Sequence, residues 1–192
     1  MESRPGCHMP YDIRPDHSEY NEYYRRYVAH VPDGNIVTTL GTQLDGMLAM
    51  LGRVGDEQAM HAYAPGKWSI KEVVGHITDA ERVFAYRALR FARGDGTPLA
   101  TFDENDYVPA GRFGDRNLAG LLDEFAAVRH ATVRLFAGLP EDAWTRTGIA
   151  SGYGVSVRAL AWITAGHELH HRHILATRYL QTDAGGTSTP AT

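Results

Sequence analysis

Four of the chain's ten histidines fall in one seven-residue run, His167-Glu168-Leu169-His170-His171-Arg172-His173. Residues four apart share a helix face about 6 Å from one another, so His167 and His171 can aim two imidazole nitrogens at a single point. A tetrahedral or octahedral divalent ion makes that demand. His170 and His173 point progressively away from the line. A third ligand has to come from another segment, and His76 is the histidine elsewhere that borders an expected apolar stripe. His130 falls off such a stripe, while His8, His17, His30 and His61 lie in expected loops or at ends. In the alternative reading, His167 and His171 are half-buried and hydrogen-bonded to neighbours, and spacing alone does not choose between the two. Two inward imidazoles left without partners would cost about 1–3 kcal/mol each, which is the argument for a metal.

The run also satisfies H-E-x-x-H, the metalloprotease helix in which the glutamate is the general base. That chemistry needs a further ligand or its extended motif. Position 174 is Ile where the extended motif has Gly, and no glutamate follows Glu168. The protease reading therefore fails on its third ligand. Glu168 remains a candidate catalytic base, although its place beside His167 turns it about 100° around the helix. Asp79, one turn from His76, is a candidate to accept that ring's other N–H, with pairing to Arg82 as the alternative.

Helices must carry these residues, and the apolar period supplies them. Ile36, Leu40, Leu44, Met47, Leu48 and Leu51 repeat at the helical spacing after Asp33, a plausible N-cap. Ser69-Ile70-Lys71-Glu72 reads as a capping box after the Pro65-Gly66 break, and a stripe from Val73 to Phe91 follows with His76 on its border. A third helix runs from Leu118 through Leu121, Leu122, Phe125, Val128 and Thr132 to Phe136. A fourth starts after Ser156 and reaches about Leu180, with Leu160, Thr164, His167, His171, Ile174 and Arg178 on one seam. Between the second and third, residues 95–116 show no sustained period; the acidic run at 103–106 lacks the ligand and glycine positions of a calcium loop. The glycines at 148, 152 and 154 read as a flexible link, and the tyrosines from 20 to 27 as a short packing helix. The fold expected is all-α, a four-helix bundle with a long crossover between helices 2 and 3. Residues 18–182 form the domain, 1–17 a flexible extension and 183–192 a flexible tail.

Composition limits the partners. With 192 residues, 43% of them hydrophobic, the chain suits one sizeable core. A formal charge of −4 offers no global field for a phosphate backbone, so nucleic acid is not an expected partner. Arg82, Arg90 and Arg93 share an azimuth, but Glu72, Asp79 and Glu81 dilute that patch into a solvated face. The lone Cys7 permits no intrachain disulfide, and no apolar run is long enough for a membrane span, so a cytoplasmic protein without membrane partners is expected.

Several blocks together resemble the DinB/YfiT-like superfamily. They are Gly66-Lys67-Trp68-Ser69-Ile70-Lys71-Glu72, Gly75-His76, Asp79-Ala80-Glu81-Arg82, Tyr86-Arg87, Phe102-Asp103-Glu104, and Gly166-His167-Glu168 with His170-His171. The likeness extends over residues 18 to 180. It implies a four-helix bundle in which His76, His167 and His171 hold a divalent transition metal; zinc or nickel is the ion expected, and bundles of this family often pair as homodimers, which the apolar and aromatic content here permits. Some members of that family join bacillithiol or a related small thiol to electrophiles. The function expected is accordingly a metal-dependent S-transferase acting on a small-molecule thiol and an electrophile. A metal-dependent hydrolase and a non-catalytic metal-binding stress-response protein are the alternatives. Three neutral nitrogen ligands leave the ion its full charge and an open position, as catalytic sites do.

Overall fold

The structure, a computed structural model, describes residues 9–180; Cys7, His8 and the expected tail at 183–192 lie outside them. In chain order the helices are α1 Arg25–His30, α2 Ile36–Leu51, α3 Asp56–Ala59, α4 Ile70–Ala92, α5 Glu104–Gly111, α6 Leu118–Ala137 and α7 Val157–Ile174. One hairpin, β1 Thr147–Ala150 and β2 Tyr153–Ser156, stands between α6 and α7. Side-chain caps set most of the long helix starts. Ser69 and Glu72 form the expected reciprocal box at α4, with the Ser69 N–H donating to the Glu72 carboxylate at 2.7 Å. Asn117 caps α6, and Ser156 caps α7 as expected. At α2 the cap is Asn35, which accepts from the Thr38 N–H. Asp33, expected there, pairs with Arg14 instead, because Gly34 and Asn35 separate it from the first turn.

The four long helices form the bundle. α4 packs against α6 and α7, and α2 packs against the same two, so α2 and α4 face each other across the diagonal. Two apolar clusters fill the interior. α2 and α7 run from the first, around Phe84, Phe91 and Trp162, to the second, around Met47, Ile77 and Phe125; α4 and α6 run the opposite way. Parallel neighbours cannot be joined by a tight turn, which is why a long connection separates α4 from α6. That connection holds α5 and a 3-10 turn at Phe113–Asp115, local helix that its broken periodicity hides.

A polar belt divides the two clusters, and it crosses all four helices. Arg129 of α6 is fully buried and makes a forked pair with Glu81 of α4, Nε to Oε1 at 2.9 Å and Nη2 to Oε2 at 2.8 Å. Its Nη1 donates to Leu40 O and to Gln43 Oε1 of α2, and Gln43 Nε2 donates to Ala165 O of α7. Every donor in this knot that faces a neighbouring helix is answered, as a buried charge pair requires. His76, His167 and Glu168 lie in the same belt.

Three further expectations change. Residues 147–156 form a hairpin rather than a flexible link, since Ser151 and Gly152 adopt positive φ of 53° and 82°, the type I′ pattern that joins twisted strands in two residues. Within residues 1–17, assigned to a flexible extension, two side chains pack on the bundle: Tyr11 meets Trp144 edge-on, and Arg14 donates to the carbonyls of Val28 and Val31. Glu81 is buried at Arg129 instead of lying on a solvated face. No helix among the described residues is long and apolar enough to cross a membrane.

Candidate metal centre

His76 comes from α4, and His167 and His171 from successive turns of α7. Their ligand nitrogens all lie within 4.8 Å of one another, with His76 Nε2 3.1 Å from His167 Nε2. Around an ion with about 2.05 Å bonds, nitrogens stand about 2.9 Å apart in octahedral and about 3.4 Å in tetrahedral geometry. The His76–His167 pair falls inside that interval. Bringing the widest pair within it asks for at most about 1.5 Å of side-chain adjustment.

Burial sets the protonation state. It pushes His76 down to about 4. His171 falls to about 3, with repulsion from His76 and His170 adding to its burial. His167, fully enclosed, is driven well below its ordinary value by burial and then by His171 and His76. All three rings are therefore neutral at physiological pH, the form that ligates a cation. An uncharged trio of inward lone pairs in a cramped polar layer fits a divalent ion.

Close backbone approach helps to place the rings. A Cβ on Gly166 would stand 2.0 Å from the carbonyl oxygen of Tyr27, so only glycine lets α1 lie against α7 one residue before His167. Gly75, just before His76, admits the Phe113 ring in the same way, at 2.4 Å. The Tyr27 ring then meets His167 edge-on at 5.3 Å, and Trp68 leans on His76 at 4.8 Å.

The triad opens on a cavity of about 680 Å³, large enough for a small molecule. Aromatic side chains, among them Tyr24, Tyr27, Trp68, Phe84, Phe102 and Tyr153, contribute to its wall. The tyrosines expected only to pack thus also shape the site. His170, set aside by its spacing, lines the cavity, its ring 5.2 Å from those of Tyr27 and His171. Burial lowers its pKa as well.

Two expected auxiliary residues lie elsewhere. Asp79 accepts from Arg82 Nη1 at 3.1 Å, an i,i+3 pair on the outer side of α4, and no hydrogen bond among the described residues joins it to His76. Glu168 does not line the cavity. Its turn around α7 carries it to the far side of the belt, where it is fully buried and neither carboxylate oxygen has a hydrogen-bond partner. Arg172 Nε approaches to 3.6 Å, beyond hydrogen-bonding reach, and burial raises the carboxyl to about 7. Arg129 and Gln43 were missed by the sequence reading. The 125–129–132–136 spacing places Arg129 on the seam of α6, a signal that its charge obscures.

A family model described as the DinB superfamily matches residues 39–175. Among solved structures, YfiT from Bacillus subtilis, described as a probable metal-dependent hydrolase with an unusual four-helix bundle topology, is similar in fold. The TM-score is 0.66 at 14% identity, covering 86% of this chain and 90% of that one. No curated protein matches the chain.

Proposed function

The chain belongs to the DinB superfamily, and from that footing we propose that it is a metal-dependent transferase joining a low-molecular-weight thiol of the bacillithiol type to an electrophile. His76, His167 and His171 would hold the ion, zinc or nickel, both of which suit imidazole. The ion supplies Lewis acidity that lowers the pKa of a thiol bound to it.

The observation that carries this reading is the position of Glu168, outside the cavity that the triad faces. In the histidine motif the glutamate is the proton acceptor for water, and its absence from the cavity leaves imidazole, a weaker base, which favours the more acidic nucleophile. A thiol has a much lower pKa than water and asks less of a base. His170, neutral and beside His171, would take the S–H proton. The sulfur then forms its bond to the electrophilic carbon as the leaving group departs with its electron pair. Aromatic walls exclude water and accept an apolar electrophile.

The test is conjugation of a haloalkane to bacillithiol, mycothiol or glutathione by metal-loaded, untagged protein, with elemental analysis before and after His76→Ala. Metal-dependent product with one of these thiols, lost together with the ion in the variant, is the expected result. Absence of conjugation with all three sinks the reading. The description of YfiT favours a second reading, a metal-dependent hydrolase, which would turn over ester or amide probes without thiol. If neither activity is found and a chelator lowers the melting temperature sharply, the ion is a staple between α4 and α7 in a non-catalytic metal-binding protein.

A further inference from the structure

Arg87 is a buried cation without a carboxylate. It is 3% exposed, and no acidic group among the described residues lies within ion-pairing distance of it. The other buried cations are paired, Arg129 with Glu81 and Lys71 with Asp56. An uncompensated guanidinium inside a protein is costly, so such a group calls for an anion. Arg87 belongs to the wall of the cavity that holds the triad.

Its setting is built. Nη2 donates to Ala100 O and to Ser151 Oγ, each at 2.9 Å, and the guanidinium lies 5.8 Å from the Phe102 ring centroid. These contacts fix the plane and leave the Nη1 hydrogens unclaimed by any carbonyl or carboxylate. Ser151 keeps its own hydroxyl proton to donate. The positive φ of the hairpin turn is what delivers that hydroxyl to the cavity. Tyr24, whose hydroxyl pKa is raised by burial with Arg87 opposing the rise, presents a second hydroxyl at the same wall.

Register supplies the length of the ligand. Arg87 follows His76 by eleven residues, three turns at which the azimuth returns to within about 20° and the helix has risen about 16 Å. Side chains lean toward the helix N-terminus, so the long arm of Arg87 reaches back and shortens that gap. Ala80 and Phe84 line the floor between, one small and one aromatic. The cavity also contains Arg26, Asp103 and Glu104. Arg26 stands over Tyr27 at the histidine end, and Glu104 is close enough to act on Tyr24, but neither carboxylate pairs with Arg87.

We infer that Arg87, with the hydroxyls of Ser151 and Tyr24, forms a carboxylate subsite at the far end of the cavity from the histidines. The ligand is an elongated molecule with a carboxylate at Arg87, an apolar middle over Ala80 and Phe84, and its reacting group at the triad. Assigning a thiol to that reacting group rests on the proposed function; the carboxylate end does not.

Two pairs of probes separate the claims. On metal-free protein, hexanoate and 1-hexanol are compared by NMR titration; on zinc-loaded protein, 6-mercaptohexanoate and 6-mercaptohexanol are compared by calorimetry. The carboxylates are expected to bind about tenfold or more tightly than the alcohols in both states. Arg87→Gln should abolish that preference and leave alcohol affinity unchanged, and Ser151→Ala should reduce it severalfold. Equal binding of acid and alcohol to the unmutated protein overturns the subsite without need of a variant. So does a folded Arg87→Gln protein that loses both ligands alike, or a hexylphosphonate that outbinds hexanoate. Should the thiols gain nothing from zinc while hexanoate still prefers Arg87, the transferase reading falls and the subsite stands.

Discussion

Glu168→Met should make the metal-free protein more stable at pH 8 and leave it nearly unchanged at pH 4.5. The carboxyl is fully buried, lacks a hydrogen-bond partner and is raised by burial from 4.5 to about 7. A folded-state value above the unfolded one means that the folded chain holds this proton more tightly. The associated stability is complete below pH 4.5 and is lost as pH rises through 7. At about 1.4 kcal/mol for each tenfold change in proton affinity, the interval corresponds to roughly 3 kcal/mol. Methionine matches the volume and carries no charge, so at pH 8 the variant escapes that penalty. For a chain of this size roughly 3 kcal/mol is about 6–12 °C in melting temperature. Arg172, partly exposed, keeps its hydration when the distant carboxylate is gone. The histidines titrate alike in both proteins and drop out of the difference. Urea denaturation of both proteins across pH 4.5 to 8 measures it. A variant less stable at pH 8, or a difference that does not change with pH, refutes the reasoning about burial. Lost activity with metal content intact would return Glu168 to the role of base.

Acid should destabilise the metal-free protein through the triad. Burial depresses His76 to about 4, so its contribution is present above the unfolded value near 6.5 and fades as pH falls toward 4; His76→Gln should flatten the pH dependence of the urea midpoint by about 3 kcal/mol. Gly166→Ala should cost about 3 kcal/mol or more in chemical denaturation, because the added carbon meets the backbone of Tyr27, which cannot rotate away, and metal affinity should fall with it. Arg129→Met should cost about 3–5 kcal/mol by stranding Glu81, and adding Glu81→Leu should restore most of the loss; an unrepaired double variant would mean that the pair itself stabilises the fold.

Local pattern carried the sequence reading a long way. The four long helices, the Ser69 and Ser156 caps and the i,i+4 histidine pair are legible because each depends on residues within a turn or two of one another. His76 was legible for a related reason: it interrupts the border of an apolar stripe that already pointed inward. The family blocks added the order in which these pieces occur. The β-hairpin was missed because ten residues with three glycines have no period to detect, and its turn is selected by twist.

What the tertiary structure alone decided is which polar groups meet. A helical period tells which side of α6 faces inward, but whether Arg129 can occupy that side depends on a carboxylate of α4 and an amide of α2 arriving at the same depth. Glu168 shows the converse: its motif named a catalytic partner, and the pitch of α7 delivered it to the wrong side of the belt. Arg87 reads as one more surface arginine until the hairpin and the α4–α5 connection close over it. Periodicity is a property of one segment and is written in its own residues. Electrostatic partnership belongs to pairs of segments far apart in the chain, and only the packing of the bundle chooses those pairs.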